Sequence, residues 1–216
     1  MRGNFGGVET PALSELAKLR TEVHDKFQWH ENEVGLSTPG RNSFYGATDA
    51  LQDAHEALLF LEKGFPLAGA KLSVYGLLQA LFIQQDAVVV LDALTRFGSP
   101  DKQDKTLYGN PLFGPIRILR HRVAGHPVYA KHVGGTASIP LVRDPYFLEA
   151  AIYCLEDGSD ADRFPRFHIG SLINDNAAGL IPILSDVNGR LDSPKDVFDR
   201  MIEAGQFKAS GKKARR

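Results

Sequence analysis

LSVYGLLQALFIQQDAVVVLDALTRF, residues Leu72 to Phe97, is the stretch on which the fold turns. Its apolar side chains fall on almost every face of a helical wheel, and the run stops at Gly98-Ser99-Pro100. A helix that is apolar all round has to be surrounded, so this segment is predicted as a central helix covered on several sides, by the core or by a subunit interface. Gln79, Gln84, Gln85, Asp86 and Asp92 interrupt it, too many polar groups for a span exposed to lipid, and no membrane partner is expected. Gln79 and Asp86 share one helical face, and Gln85 and Asp92 share another. Buried polar groups need partners, so these residues either hydrogen-bond within the chain or form a polar wall facing a catalytic groove.

Upstream, Thr10-Pro11 places a capping residue before a proline at a first helical position, and Leu13, Leu16, Val23 and Phe27 follow at helical spacing. A first helix is predicted from Pro11 to His30. Glu31 to Gly46, with Gly35, Pro39, Gly40 and Gly46, has turn chemistry and reads as a long loop. Thr48 and Asp49, with Gln52 following, resemble a capping box, and Leu51, Ala54, Leu58 and Leu61 continue a helix until Gly64 and Pro66. Downstream, after a loop from Ser99 to Gly114, Pro115 opens a short basic helix with Ile116, Leu119 and Val123 on its apolar face, ending within a residue of Gly125. From Val128 the character becomes β-like, in Ser138 to Val142, Tyr146 to Cys154 and Arg163 to Ile169. Ser171 then opens a further helix in which Gly179 and Pro182 argue for a kink, and a last short helix covers about Pro194 to Ala204. The expected fold is mainly α, with a small antiparallel β elaboration after the basic helix. A single domain spans 1–206, its β-rich insertion at about 128–169, and 207–216 forms a basic tail expected to be disordered.

With 216 residues, 43% of them hydrophobic, the chain has the size and apolar content for one globular domain with a sizeable core. A formal charge of −1 excludes nucleic-acid binding through overall charge, so any such binding must be local. The single cysteine, Cys154, allows no internal disulfide, and the N-terminus lacks the basic and apolar regions of a signal peptide. A cytoplasmic location is expected.

Local charge is concentrated in one tract. Between Lys105 and Arg143 there is no aspartate or glutamate, while Arg117, Arg120, Arg122 and Lys131 stand among His121, His126 and His132. Such a tract suits an anionic ligand, phosphate first, unless its arginines are neutralised by acids from elsewhere in the fold. His126 falls at the C-terminus of the basic helix, where carbonyl dipoles favour the imidazolium and neighbouring arginines oppose it. Arg120 lies roughly 9 Å earlier along the axis, and its long side chain could still reach a ligand at the helix end. An imidazole that moves a proton beside a guanidinium that forks onto phosphate oxygens suffices for metal-free phosphodiester chemistry on RNA. One such pair supplies too few groups for base, acid and charge stabiliser, whereas two copies meeting in a symmetric dimer supply them all. Arg122, four residues before His126, is helically better aligned with it and competes with Arg120 for the role. The histidines are spaced unlike common zinc motifs and lack a nearby carboxylate or thiolate, so neither metal nor cofactor is expected.

At these residues the chain resembles the HEPN superfamily, helical domains whose ribonuclease members carry an arginine, commonly followed by Asn, Asp or His, and then a histidine after four to six intervening residues. Arg120, His121 and His126 fit that pattern. The resemblance implies a helical bundle that dimerises through its motif helices around a composite, metal-independent endoribonuclease cleft, often in toxin, phage-defence or RNA-processing settings. Arg120 would stabilise phosphate, His126 would act as acid or base, and His121 would orient the pair, with Arg117, Arg122 and Lys131 binding substrate. The alternatives are a noncatalytic HEPN-like module that binds RNA or protein, and a regulatory subunit. The partners expected are RNA, a second copy of the chain, and an antitoxin or a nucleotidyltransferase.

Overall fold

The computed structural model describes residues 10–34, 39–63, 70–120, 136–138, 146–149, 151–153 and 166–205. Among them the chain is mainly helical: α1 (Pro11–Val34), α2 (Pro39–Glu62), α3 (Ala70–Phe97), a 3-10 turn (Lys105–Gly109), α4 (Gly114–Arg120), α5 (Ile169–Arg190) and α6 (Pro194–Glu203). The β elements are β1 (Thr136–Ser138), β2 (Phe147–Glu149), β3 (Ala151–Tyr153) and β4 (Arg166–His168).

The helix that decides the fold is indeed surrounded. Leu77, Leu78, Leu81, Val88, Leu91 and Leu94 of α3 are fully buried, and the helix packs against α2, α4, α5 and α6. Each such side chain contributes about 1.5–3 kcal/mol of apolar transfer, so α3 carries much of the core. By length and composition α3 is the one helix among the described residues that could cross a membrane, and 61% of its most apolar window is buried inside the bundle. It ends where expected. Gly98 takes φ +72°, its N–H returns to the Leu94 carbonyl at 2.9 Å, and a Cβ there would collide with the Arg200 backbone.

The polar groups of α3 separate into two sets. Toward α5, Gln85 donates to Asn176 Oδ1 at 2.8 Å, Asn176 donates to Gln84 Oε1 at 3.0 Å, and Asp92 accepts from Arg190 at 2.5 Å. This is ordinary intrachain pairing, one of the two outcomes expected for them. Burial raises the Asp92 carboxyl and lowers the Arg190 guanidinium, but each charge favours the other, and the pair stands ionised because arginine keeps its proton. Gln79 and Asp86 point elsewhere, toward α4.

The long loop expected from Glu31 to Gly46 is not there. Instead α1 continues to Val34 and α2 begins at Pro39. Two glycines cost a helix about 1 kcal/mol each, and tertiary packing overrides that cost. Phe44 is buried and stacks on Phe27 of α1 with ring centroids 3.6 Å apart. Glu31, buried at the end of α1, accepts from Tyr45 at 2.7 Å and pairs with Arg41 at 2.9 Å. Burial and the Glu31 carboxylate raise the Tyr45 phenol and keep it a donor. Thr48 consequently caps nothing: it lies inside α2, fully buried, with its hydroxyl donating to the Tyr45 carbonyl at 3.0 Å.

The β part is antiparallel, as two short pairs. β1 pairs with β3, Thr136 opposite Tyr153, and β2 pairs with β4, Phe147 opposite His168. The single strand expected from Tyr146 to Cys154 is thus two, because the chain changes partner between Glu149 and Ala151. Leu148 anchors the β2–β4 pair in the helical core. α5 starts at Ile169 rather than Ser171, because His168 at the end of β4 is the cap: its Nδ1 accepts from the Ser171 N–H at 3.3 Å. α5 then runs through Pro182 to Arg190. Gly179 serves a close approach, since a Cβ there would lie 2.7 Å from the Phe113 ring. The tail at 207–216 lies outside the described residues.

Candidate functional site

The segment before α4 fixes its place. Asp104 caps the 3-10 turn by accepting from the Thr106 N–H at 3.0 Å, and the Asn110 carbonyl accepts from the Phe113 and Gly114 N–H groups, both at 2.9 Å. Phe113 is fully buried against Gly179, and Ile116 and Leu119 continue the same apolar face, as their spacing predicts. Pinning that face turns Arg117 and Arg120, one turn apart, toward the polar side of α3.

The two arginines share a platform and differ in charge balance. Their guanidinium carbons lie 4.2 Å (Arg117) and 4.4 Å (Arg120) from the centroid of the Phe82 ring. Arg117 also stacks on Tyr108 at 3.8 Å, donates to Asp86 at 2.9 Å and to Gln85 at 3.4 Å, and its side chain is only 16% exposed. Its charge is therefore met inside the protein, by an acid from outside the acid-free tract. Burial, and then the Asp86 charge, push the Tyr108 phenol up to about 12, so it remains a neutral donor, here to Gln103 at 3.0 Å. Arg120, partly exposed, donates through Nε and Nη2 to the Gln79 amide oxygen at 3.4 and 3.2 Å. It forms no ion pair among the described residues, so its positive charge is uncompensated there.

Beside this platform, α2 and α3 border an open groove of about 420 Å³, with Ala47, Ala50, Ile83 and Val90 on its apolar side and Gln79 and Asp86 on its polar side. A guanidinium with an apolar groove next to it can hold a phosphate while a flat or apolar group rests alongside. Of the residues the sequence singles out, α4 brings Arg117 and Arg120 together. His121, Arg122, His126 and Lys131 lie outside the described residues, as does His132. Phe82 and Tyr108 escaped the sequence reading: an aromatic in an apolar helix and another in a loop give no sign that they stack on arginines brought in by folding. No family model, no curated protein and no solved structure matches this chain.

Proposed function

We propose that the chain is a metal-independent endoribonuclease working as a homodimer, with Arg120, His121 and His126 in a composite active site. The observation that carries this reading is the guanidinium of Arg120 at the end of α4, which has no ion pair among the described residues and lies one residue before His121. Arg117, paired to Asp86, holds the platform in place. In the reaction, a base takes the proton of the ribose 2′-hydroxyl, its oxygen attacks phosphorus, and the bond to the 5′ oxygen breaks as an acid protonates that oxygen. The products are a 2′,3′-cyclic phosphate and a 5′-hydroxyl. His126 from the two copies supplies base and acid, and Arg120 meets the charge growing on the phosphoryl oxygens, each role worth roughly 10²–10⁴-fold.

Purified protein incubated with mixed RNA in EDTA tests this, since none of the groups invoked needs a divalent ion. Cleavage is expected to persist, to leave 2′,3′-cyclic ends, and to fail on RNA with a 2′-deoxy sugar at the cut. Arg120→Ala and His126→Ala should each abolish turnover while sedimentation still finds a dimer, and Arg122→Ala should retain appreciable turnover. Activity that vanishes with chelator and returns with metal, or wild-type rates in His126→Ala, would refute the mechanism.

A second reading, a noncatalytic module that binds RNA, is favoured by the same Gln79 and Phe82 contacts, which also serve to dock a helix end. Strongly salt-dependent RNA binding without cleavage would select it.

A further inference from the structure

Away from α4, the C-terminal ends of α3 and α5 and the start of α6 form an open cleft of about 660 Å³, whose lining includes Arg96, Arg190, Arg200, Asp186, Ser193 and Asp196. Arg96 lies 17 residues beyond Gln79 on α3, roughly 25 Å along the axis, so this cleft is separate from the Arg120 platform. It holds both signs of charge, three arginines beside two aspartates. Arg190 is paired to Asp92 behind it, and Arg96 reaches Asp104 only at 3.6 Å. Arg200 spends one donor on the Thr95 carbonyl at 2.9 Å and forms no ion pair among the described residues. Burial lowers the Arg190 guanidinium against the pull of Asp92 and Asp186, and the charges of Arg96 and Arg200 lower it further. The Nε atoms of Arg190 and Arg200 and Oδ2 of Asp92 are shut from solvent without a partner among the described residues. Ser193, at the start of α6, makes no side-chain capping bond to the helix.

We propose that this cleft binds a small phosphomonoester bearing hydroxyl groups, of the sugar-phosphate or nucleoside-monophosphate class, one per chain. The guanidiniums of Arg96 and Arg200 take the phosphate oxygens, because fork-shaped donors match an oxyanion. Asp186 and Asp196 accept from the hydroxyls of the organic part. Inorganic phosphate fits less well: it is small for the cleft and has no hydroxyl arm to offer the two carboxylates. A neutral sugar offers the guanidiniums no charge to pair with. The inference stands independently of the activity proposed for Arg120.

Calorimetric titration of the full chain at physiological ionic strength with ribose 5-phosphate, ribose, inorganic phosphate and a short RNA tests it. Ribose 5-phosphate is expected to saturate at one per chain, ribose to give no binding, and inorganic phosphate to bind more weakly. Arg96→Gln, at a half-exposed side chain, should weaken ribose 5-phosphate by roughly tenfold or more, the loss of a charge-assisted hydrogen bond. Arg200→Gln should do the same, and if losing the Thr95 bond unfolds it, Arg96→Gln decides alone. Asp196→Asn should narrow the preference for ribose 5-phosphate over inorganic phosphate. No saturable binding at millimolar ribose 5-phosphate, or unchanged affinity in Arg96→Gln, overturns the proposal. So does an RNA that occupies the cleft when ribose 5-phosphate does not.

Discussion

Arg117 and Arg120 lie over one phenylalanine ring, yet among the described residues only Arg117 has an acid to answer it. Arg117→Ala removes an ion pair and two ring contacts, and with Asp86 42% exposed the loss should be about 1–2 kcal/mol of unfolding free energy. Arg120→Ala should cost about 1 kcal/mol or less, because its contacts are partly exposed and neutral. Chemical denaturation of both variants checks the order, and equal losses would refute the division of roles. The acid-free tract makes the arginines legible in the sequence, but the neutralisation of Arg117 is not, because Asp86 comes from another helix. His55 offers a pH test. Burial pushes its imidazole below the ordinary 6.5, and its Nδ1 is shut from solvent with no partner among the described residues. The unfolded chain then binds the proton more readily than the folded one. Stability should be complete above about pH 6.5 and fall as the pH drops through the depressed folded value. Denaturation midpoints across that range should decline less in His55→Gln than in the wild type, and parallel declines would assign the effect to other groups.

Among the elements, α2 was the least legible. Its first two turns carry Pro39, Gly40 and Gly46, and local propensity reads them as a loop. What holds them is Phe44 on Phe27 and the Glu31 clasp, contacts with α1 that no local window contains. The same comparison sorts the glycines. Gly46 is exposed inside α2, has no positive φ, and a Cβ there would meet nothing within 4 Å. Gly46→Ala should therefore stabilise the protein by about 0.5–1 kcal/mol. Gly179→Ala should do the opposite, because Phe113 must move, and overpacking of this kind costs about 1–3 kcal/mol. Thermal unfolding of the two variants reads the signs, and a shift in the same direction for both would contradict the packing around Phe113.

For the molecule as a whole, periodicity and terminators were enough to read a helical bundle with a small antiparallel β part, because α1, α3, α5 and α6 each carry an apolar face with a proline or glycine at an end. The β pairs were less legible, since strand partners are set by tertiary register rather than by the residues within a strand. Part of the candidate site was legible as well: Arg117 and Arg120 stand out in the acid-free tract, while the aromatic platform and the groove exist only once α2, α3 and α4 meet. The amide seam of Gln84, Gln85 and Asn176 has a consequence of another kind. Leucine and valine surfaces are alike at every step along α3, so greasy contact by itself would let α5 slip by a turn and settle nearly as well. The three amides act as teeth that mesh at one setting, trading some cohesion for a single alignment. Replacing all three with leucine should raise the denaturation midpoint while magnetic-resonance peaks broaden and multiply. A triple variant that is more stable and still gives one sharp set of peaks would mean that shape alone times the gears.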